Sequence, residues 1–273
     1  MSSETILRWT PAGWAADVAD PAGGGGAEEA RPAGHRVLAA DSFLVDEGRV
    51  LALDVHRQRF LAALRAQSAA VADPAAFLDA AARALPRAGA WFPRVEALRG
   101  PDGDVARLLL RPAPERTTSV VLRDHDGPDP RTMPRVKGPD LHALGALRSR
   151  AARHGAGEAV ILAADGTIVE GAYSAILWWH GDALAVVEGD VPRIPSVTER
   201  SIVALATALG VDVLHERATP ADLDGREVWA VSALHGIRLV RGWVDGPAVA
   251  AEPGRARAWR TRLAALRREL PAA

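Results

Sequence analysis

Hydrophobic positions along this chain change period often, and the changes predict an interleaving of strands and helices. Ile6 to Trp9 reads as a short strand. Weak alternation from Arg36 to Val45, a turn at Asp46-Glu47-Gly48 and a returning run from Arg49 to Leu53 predict a hairpin. Phe60, Leu61 and Leu64 then share one face of a helix expected from Val55 to about Ser68, with Asp54 as its cap. Asp73-Pro74 is a cap and first-turn pair for a second helix over 75–84. Strand-like runs follow at 91–98, 105–111 and 118–123, the first two joined by the turn Pro101-Asp102-Gly103. Beyond a breaker-rich stretch from Asp124 to Pro130, the spacing of Leu141, Leu144, Leu147 and Ala151 predicts a helix from Asp140 to His154, stopped by Gly155. Further strands are expected at 158–162, 167–170, 172–179, 211–214, 227–232 and 237–240. Helices are expected at 197–209 and 257–270, with a short capped one at 219–223. The glycine-rich stretch from Pro21 to Ala33 reads as a surface loop, and Glu188 to Pro195 fits no pattern.

This order predicts an α+β chain of two domains. A small N-terminal domain covers 1–125, a linker 126–136 and a larger C-terminal domain 137–273. Composition narrows the function classes. With 33 Lys and Arg against 34 Asp and Glu, the near-neutral balance argues against a nucleic-acid partner. Cysteine is absent, which excludes a thiol nucleophile and a Cys-based zinc site, and no metal is expected. No apolar run approaches the length of a membrane span, and the first residues lack the pattern of a signal peptide, so a cytoplasmic location is expected.

Within the basic residues, Lys137 is the only lysine; the rest are arginines. The Ala, Gly and Arg bias suggests a GC-rich coding sequence in which generic cations drift to arginine. An amine retained against that drift can do what a guanidinium cannot: lose its proton on desolvation and attack a carbonyl. A chance surviving lysine at a strand end is the competing explanation. Glu170 closes an apolar strand, where a carboxylate is either exposed at the strand end or paired. One role for such a group is to hold a proton on a heteroaromatic nitrogen.

Several stretches together resemble the class IV (fold type IV) pyridoxal-phosphate enzymes. These include branched-chain and D-amino-acid aminotransferases, (R)-selective amine transaminases and 4-amino-4-deoxychorismate lyases. Lys137 resembles the family's Schiff-base lysine. Gly155-Ala-Gly-Glu158-Ala-Val-Ile-Leu-Ala-Ala-Asp165-Gly-Thr-Ile-Val-Glu170 resembles the block that ends on its glutamate, at a similar separation from the lysine. Asp54-Val-His56-Arg-Gln-Arg59 resembles a motif whose last arginine binds the cofactor phosphate. Ser196-Val197-Thr198 resembles a phosphate-binding helix start, and Ser232-Ala233-Leu234-His235-Gly236 the loop closing the other side of the phosphate. That loop is nearer the lyase form than the aminotransferase form. Departures accompany the matches. His142 stands where branched-chain enzymes have a tyrosine, either contacting the ring or lying on the helix surface. Ala175 replaces the usual asparagine, Glu199 the usual arginine and Ser196 the usual glycine. Tyr173, the sole tyrosine, either lines a pocket or packs.

The resemblance implies a D-amino-acid aminotransferase-like fold, with a small N-terminal α/β domain and a larger C-terminal domain around a β-barrel-like core. It implies pyridoxal 5′-phosphate as cofactor, an amino donor, a 2-oxo acid acceptor and a homodimer. Lys137 is then the catalytic residue. Glu170, Arg59, Val197, Thr198, Ser232 and Ala233 bind the cofactor, and Tyr173, His142, Leu234 and His235 line the substrate pocket. Transamination is the leading expectation. Lyase activity on aminodeoxychorismate, which uses the same proton abstraction, and a non-catalytic metabolite-binding role are the alternatives.

Overall fold

The computed structural model describes residues 5–17, 32, 34–250 and 254–272. Its contacts divide the chain into two units that are not sequential. Unit 1 comprises Met1–Glu115, Val136–His142 and Arg267–Ala273, and unit 2 comprises Arg116–Arg135 and Ala143–Leu266. The stretch expected as a linker therefore contributes most of its length to unit 2. Lys137 falls in a short return of the chain to unit 1. Apart from Pro32, the loop expected over 21–33 lies outside the described residues.

Unit 1 is built on an antiparallel sheet in the order Gly13–Ala16, Thr5–Thr10, Gly103–Leu110, Arg94–Gly100 and Arg36–Ser42. Helices α1 (Leu53–Ala66) and α2 (Pro74–Ala84) accompany it. Asp73 caps α2 as expected, accepting the Ala76 N–H at 3.0 Å. Asp54 does not cap α1. That position belongs to Ala52, in the left-handed region at φ 47°, and Asp54 sits inside the first turn, where its charge complements the helix dipole. On α1 the buried face is His56, Phe60, Ala63 and Leu64.

A smaller sheet orders Arg268–Glu269, Arg49–Val50, Val45–Asp46 and Ala90–Trp91. The last helix thus ends earlier than its sequence suggests, at Ala265, because the following residues pair with the 45–50 hairpin. The Leu270 N–H reaches Gly48 O at 2.9 Å, and Arg87 Nη1 donates to Leu270 O at 2.9 Å.

In unit 2 an eight-stranded mixed sheet runs Ile168–Gly171, Glu158–Leu162, Ser119–Asp124, Gly236–Val244, Val228–Ser232, Ala175–His180, Ala183–Val187 and Val213–Glu216. It curls into a half-barrel. Three of its seven pairings are parallel: 158–162 with 119–124, 236–244 with 119–124, and 183–187 with 213–216. Helices α3 (Leu141–Arg153), α4 (Val197–Ala208) and α5 (Ala256–Ala265) complete the set. The strand at Ala183–Val187 has no counterpart among the sequence expectations. Its run of Ala, Leu and Val lacks alternation because it is buried almost throughout. Trp178, Trp179 and Trp229 are all buried, and Trp179, Trp229 and Trp259 of α5 meet with ring centroids 5.4–5.7 Å apart. These tryptophans are core.

One contact sets the position of Lys137. The Ala40 N–H donates to Lys137 O at 2.8 Å, joining the segment to the strand Arg36–Ser42. Gly138 follows at φ +136°, a conformation that side chains rarely adopt. A Cβ there would lie 2.7 Å from Ala40 N and 2.8 Å from the Ala39 carbonyl carbon. Leu141 then packs with Val37, Ala40 and Leu98. Gly138→Ala is therefore expected to destabilise the fold by about 1–3 kcal/mol through backbone strain and displacement of the segment. Urea unfolding would show a lower midpoint with an unchanged slope; a wild-type midpoint would mean that the segment does not lean on this strand.

Candidate active site

In unit 1 the chemistry gathers around a buried carboxylate. Asp41 ends an apolar run in the strand Arg36–Ser42 and is 1% exposed. Arg59 donates to it twice, Nε to Oδ2 at 2.8 Å and Nη2 to Oδ1 at 2.7 Å. His56, three residues earlier and on the same face of α1, places Nδ1 2.8 Å from Oδ1. Burial by itself raises the Asp41 pKa, but the Arg59 charge, His56 and their hydrogen bonds outweigh it and hold the carboxyl well below its usual range. Burial pushes His56 below its ordinary value, more strongly than Asp41 raises it, and the charges of Arg59 and Lys137 push the same way. A neutral imidazole must then carry its proton on Nδ1 and donate it to Asp41. The influence of Lys137 on His56 puts the lysine in the electrostatic neighbourhood of this group.

A second set of buried charges lies on the neighbouring strands. Glu96 pairs in register with Ala40. Its carboxylate meets Arg94 Nε at 2.9 Å and Arg107 Nη2 at 2.5 Å, with Asp17 3.3 Å from Arg107 Nη1. His142 is exposed at the first turn of α3.

Unit 2 centres on Glu170, at the end of the strand Ile168–Gly171 and 5% exposed. Arg131 Nη1 donates to Glu170 Oε1, and the Ile194 N–H donates to Oε2 at 3.2 Å. Arg131 is held in turn by Asp129 and by Pro192 O. Gly171 after the glutamate is required by close approach, since a Cβ there would lie 2.4 Å from Ser174 Oγ. Ser174 and the Tyr173 N–H both donate to the fully buried Glu158, at 3.0 and 3.2 Å, and Arg238 donates to it at 2.9 Å. This fixes the turn that leaves Glu170. Tyr173 lies under the Arg148 guanidinium, 4.7 Å from the ring centroid.

At the start of α4, Val197 and Thr198 are buried, and the Ser196 hydroxyl caps the helix by accepting the Glu199 N–H at 3.2 Å. The first N–H groups of any helix lack intrahelical partners, which makes this end an anion-binding position. Glu199 would oppose an anion there, but Arg193 neutralises it with two bonds, 2.7 and 2.8 Å. In the loop after Val228–Ser232, Ser232 Oγ accepts the His235 N–H at 3.3 Å, and His235 Nδ1 accepts the Thr117 N–H at 3.1 Å. Burial first, then the charges of Arg238, Arg148 and Arg116, push His235 down to about 4, so its ring is neutral at pH 7. Ala233 and Leu234 are half-buried in the same loop.

Expected site residues thus fall in both units: Lys137, Arg59 and His142 in unit 1, and Glu170, Val197, Thr198, Tyr173 and Ser232–His235 in unit 2. The sequence reading passed over Asp41, Asp129, Arg131, Arg193 and the segment 188–195. Asp41 carried a signal, a charge directly after the buried run 37–40. The others lie in irregular stretches with no period, where no pattern marks which charges pair or that Arg131 reaches Glu170, 39 residues on.

The linked titrations give a pH prediction. His56 is neutral when folded, so the unfolded chain binds more protons below its ordinary pKa, and stability falls as pH drops below about 6.5. Asp41 has a depressed folded value, so its contribution is complete above about pH 4 and is lost as pH falls further. Asp41→Asn should cost about 3–5 kcal/mol at neutral pH by removing the charge that Arg59 and His56 bond to, and should abolish the loss below about pH 4 while the loss that begins below about pH 6.5 remains. Urea titrations across this range test both. A wild-type stability flat down to about pH 4 would contradict the neutral His56.

Among the described residues no group of His, Cys, Asp and Glu could hold a metal ion, and no helix is long and apolar enough to cross a membrane. No protein among the curated sequences matches the chain. Solved structures do. A fold IV transaminase of Curtobacterium pusillum is 17% identical at a TM-score of 0.76, over 96% of this chain and 97% of that one. A hypothetical aminotransferase of Mycobacterium tuberculosis in its PLP-bound form is 20% identical at 0.77, over 97% and 98%. The branched-chain aminotransferase of Thermoproteus uzoniensis with norvaline is 16% identical at 0.75, over 85% and 90%. At these identities the likeness speaks for the fold. The family rests on sequence: residues 38–243 match amino-transferase class IV, and the chain belongs to that family of pyridoxal 5′-phosphate-dependent enzymes.

Proposed function

We propose that this chain is an aminotransferase that moves the amino group of an amino acid or primary amine to a 2-oxo acid. The observation that carries the reading is that the chain's single lysine is held by its own backbone against the strand bearing Asp41, in a family whose chemistry needs one amine. The donor set suits pyridoxal 5′-phosphate. Unit 1 offers an amine at Lys137; unit 2 offers a buried carboxylate at Glu170 with its own N–H and guanidinium support, and a helix start at Val197 and Thr198 whose one acidic residue is neutralised. When bound, the cofactor supplies an aldehyde that condenses with amines and a ring that takes up negative charge from the substrate Cα.

Each residue then has a task that its surroundings support. Lys137 Nζ, once deprotonated, would accept the proton from the substrate Cα and deliver it to the cofactor's aldehyde carbon, two bonds away, acting as base and then acid. Glu170 holds the proton on the ring nitrogen. Thr198 and the N–H groups at the start of α4 take the phosphate, with the loop 232–233 as a second contact. Arg59 is the remaining phosphate candidate. With Nε and Nη2 both on Asp41, it is a preorganised cation rather than a mobile one.

The runner-up is elimination of pyruvate from aminodeoxychorismate. The Ser232-Ala233-Leu234 loop and the exposed His142 at the family's tyrosine position favour it.

The test is an absorbance spectrum of the purified protein with pyridoxal 5′-phosphate, for wild type and Lys137→Ala. Wild type should show a visible band that is lost on borohydride reduction, and the variant none. D- and L-amino acids and (R)-amines should convert the band to that of the pyridoxamine form. Pyruvate release from aminodeoxychorismate without that conversion would select the lyase. A wild type with no such band would overturn the proposal.

A further inference from the structure

The carboxylate at Glu170 is not alone with the group it would serve. Arg131 is 1% exposed at its side chain and donates through Nη1 to Glu170 Oε1. Such a pair is electrically neutral. A guanidinium on the carboxylate competes with a protonated ring nitrogen for the same negative charge. On that ground alone Arg131 would weaken the function assigned to Glu170.

Asp129 changes the balance. Its Oδ1 accepts Arg131 Nε at 2.9 Å and the Arg131 N–H at 2.9 Å, and its Oδ2 accepts Nη2 at 2.6 Å. Pro192 O accepts Nη2 at 3.0 Å. Every nitrogen of the guanidinium is thus engaged, and Arg131 is fixed in one orientation. Asp129, Arg131 and Glu170 together carry one net negative charge. Burial works against ionisation of Asp129, but the bonds from Arg131 more than offset it and depress its pKa. All three residues lie in unit 2, and Asp129 and Arg131 come from the stretch 126–136 that reads in the sequence as a linker.

We propose that Asp129 and Arg131 are positioning residues for Glu170: Arg131 orients the carboxylate, and Asp129 cancels the guanidinium so that a full negative charge remains for the ring nitrogen of the cofactor. The proposal rests on the role given to Glu170 above. A purely structural clamp is the competing account, in which Asp129 and Arg131 only hold the segment in place.

Binding to the apoprotein separates the two. The probes are pyridoxal 5′-phosphate and its 1-deaza analogue, which has the same aldehyde, hydroxyl and phosphate but a carbon in place of the ring nitrogen. Asp129→Asn should raise the Kd for pyridoxal 5′-phosphate roughly three- to tenfold, a modest change because Asp129 is partly exposed and its charge partly screened. The Kd for the deaza analogue should stay within about twofold, since that ring has no proton for the charge to stabilise. Asp129→Glu should restore the difference between the two probes. Should Asp129→Asn fold poorly, the comparison is made in the cold on Asp129→Ser, which retains an acceptor for Arg131. Equal weakening of both probes, or no change in either, overturns the proposal while leaving the cofactor assignment intact. A wild type that binds neither probe overturns the cofactor assignment, and this proposal with it.

Discussion

Taking a carboxylate out of water is costly unless charge and hydrogen bonds are supplied to it, and this chain does so repeatedly with arginine. Asp41 is met by Arg59, Glu96 by Arg94 and Arg107, Glu158 by Arg238, Glu170 by Arg131 and Glu199 by Arg193. All of these carboxylates are buried. A planar guanidinium is always charged and presents its donors in a fixed fork, so it can orient a carboxylate as well as neutralise it. An ammonium would do neither so well, and it can lose its charge when desolvated. In this chain arginine holds these buried carboxylates, and lysine appears once, at Lys137.

The main chain that carries that lysine is placed by backbone geometry. The Ala40–Lys137 hydrogen bond and the close approach of Gly138 to Ala39 and Ala40 fix where the main chain runs. The carboxylate side is handled in the opposite manner. Glu170 is braced at both oxygens, by a guanidinium and an N–H.

The segment 188–195 shows how such bracing is shared out. Pro192 O receives Arg131, the Ile194 N–H reaches Glu170, and Arg193 neutralises Glu199 at the start of α4. Three successive residues thus link the glutamate to the helix end. The departure of Glu199 from the family pattern is matched locally by Arg193, six residues earlier. In the sequence these residues form an irregular stretch with no period, and their roles lie entirely in where their backbone and side chains arrive.

What the sequence by itself determined are the features that depend on near neighbours. The helices around Phe60, Leu144 and Ile202, the Asp73 and Gly155 boundaries, the lone lysine and the block from Gly155 to Glu170 were legible because periodicity, capping and motif spacing are local. The family followed from them. Tertiary structure alone decided the rest. Asp54 yielded the cap of α1 to Ala52, the last helix stopped at Ala265 to let Arg268 pair with Val50, and the apparent linker proved to carry Arg131 and Asp129. The Arg131–Glu170 bond and the Arg268–Val50 pairing join residues tens to hundreds of positions apart, and no local pattern encodes which distant partner a charge or strand will meet.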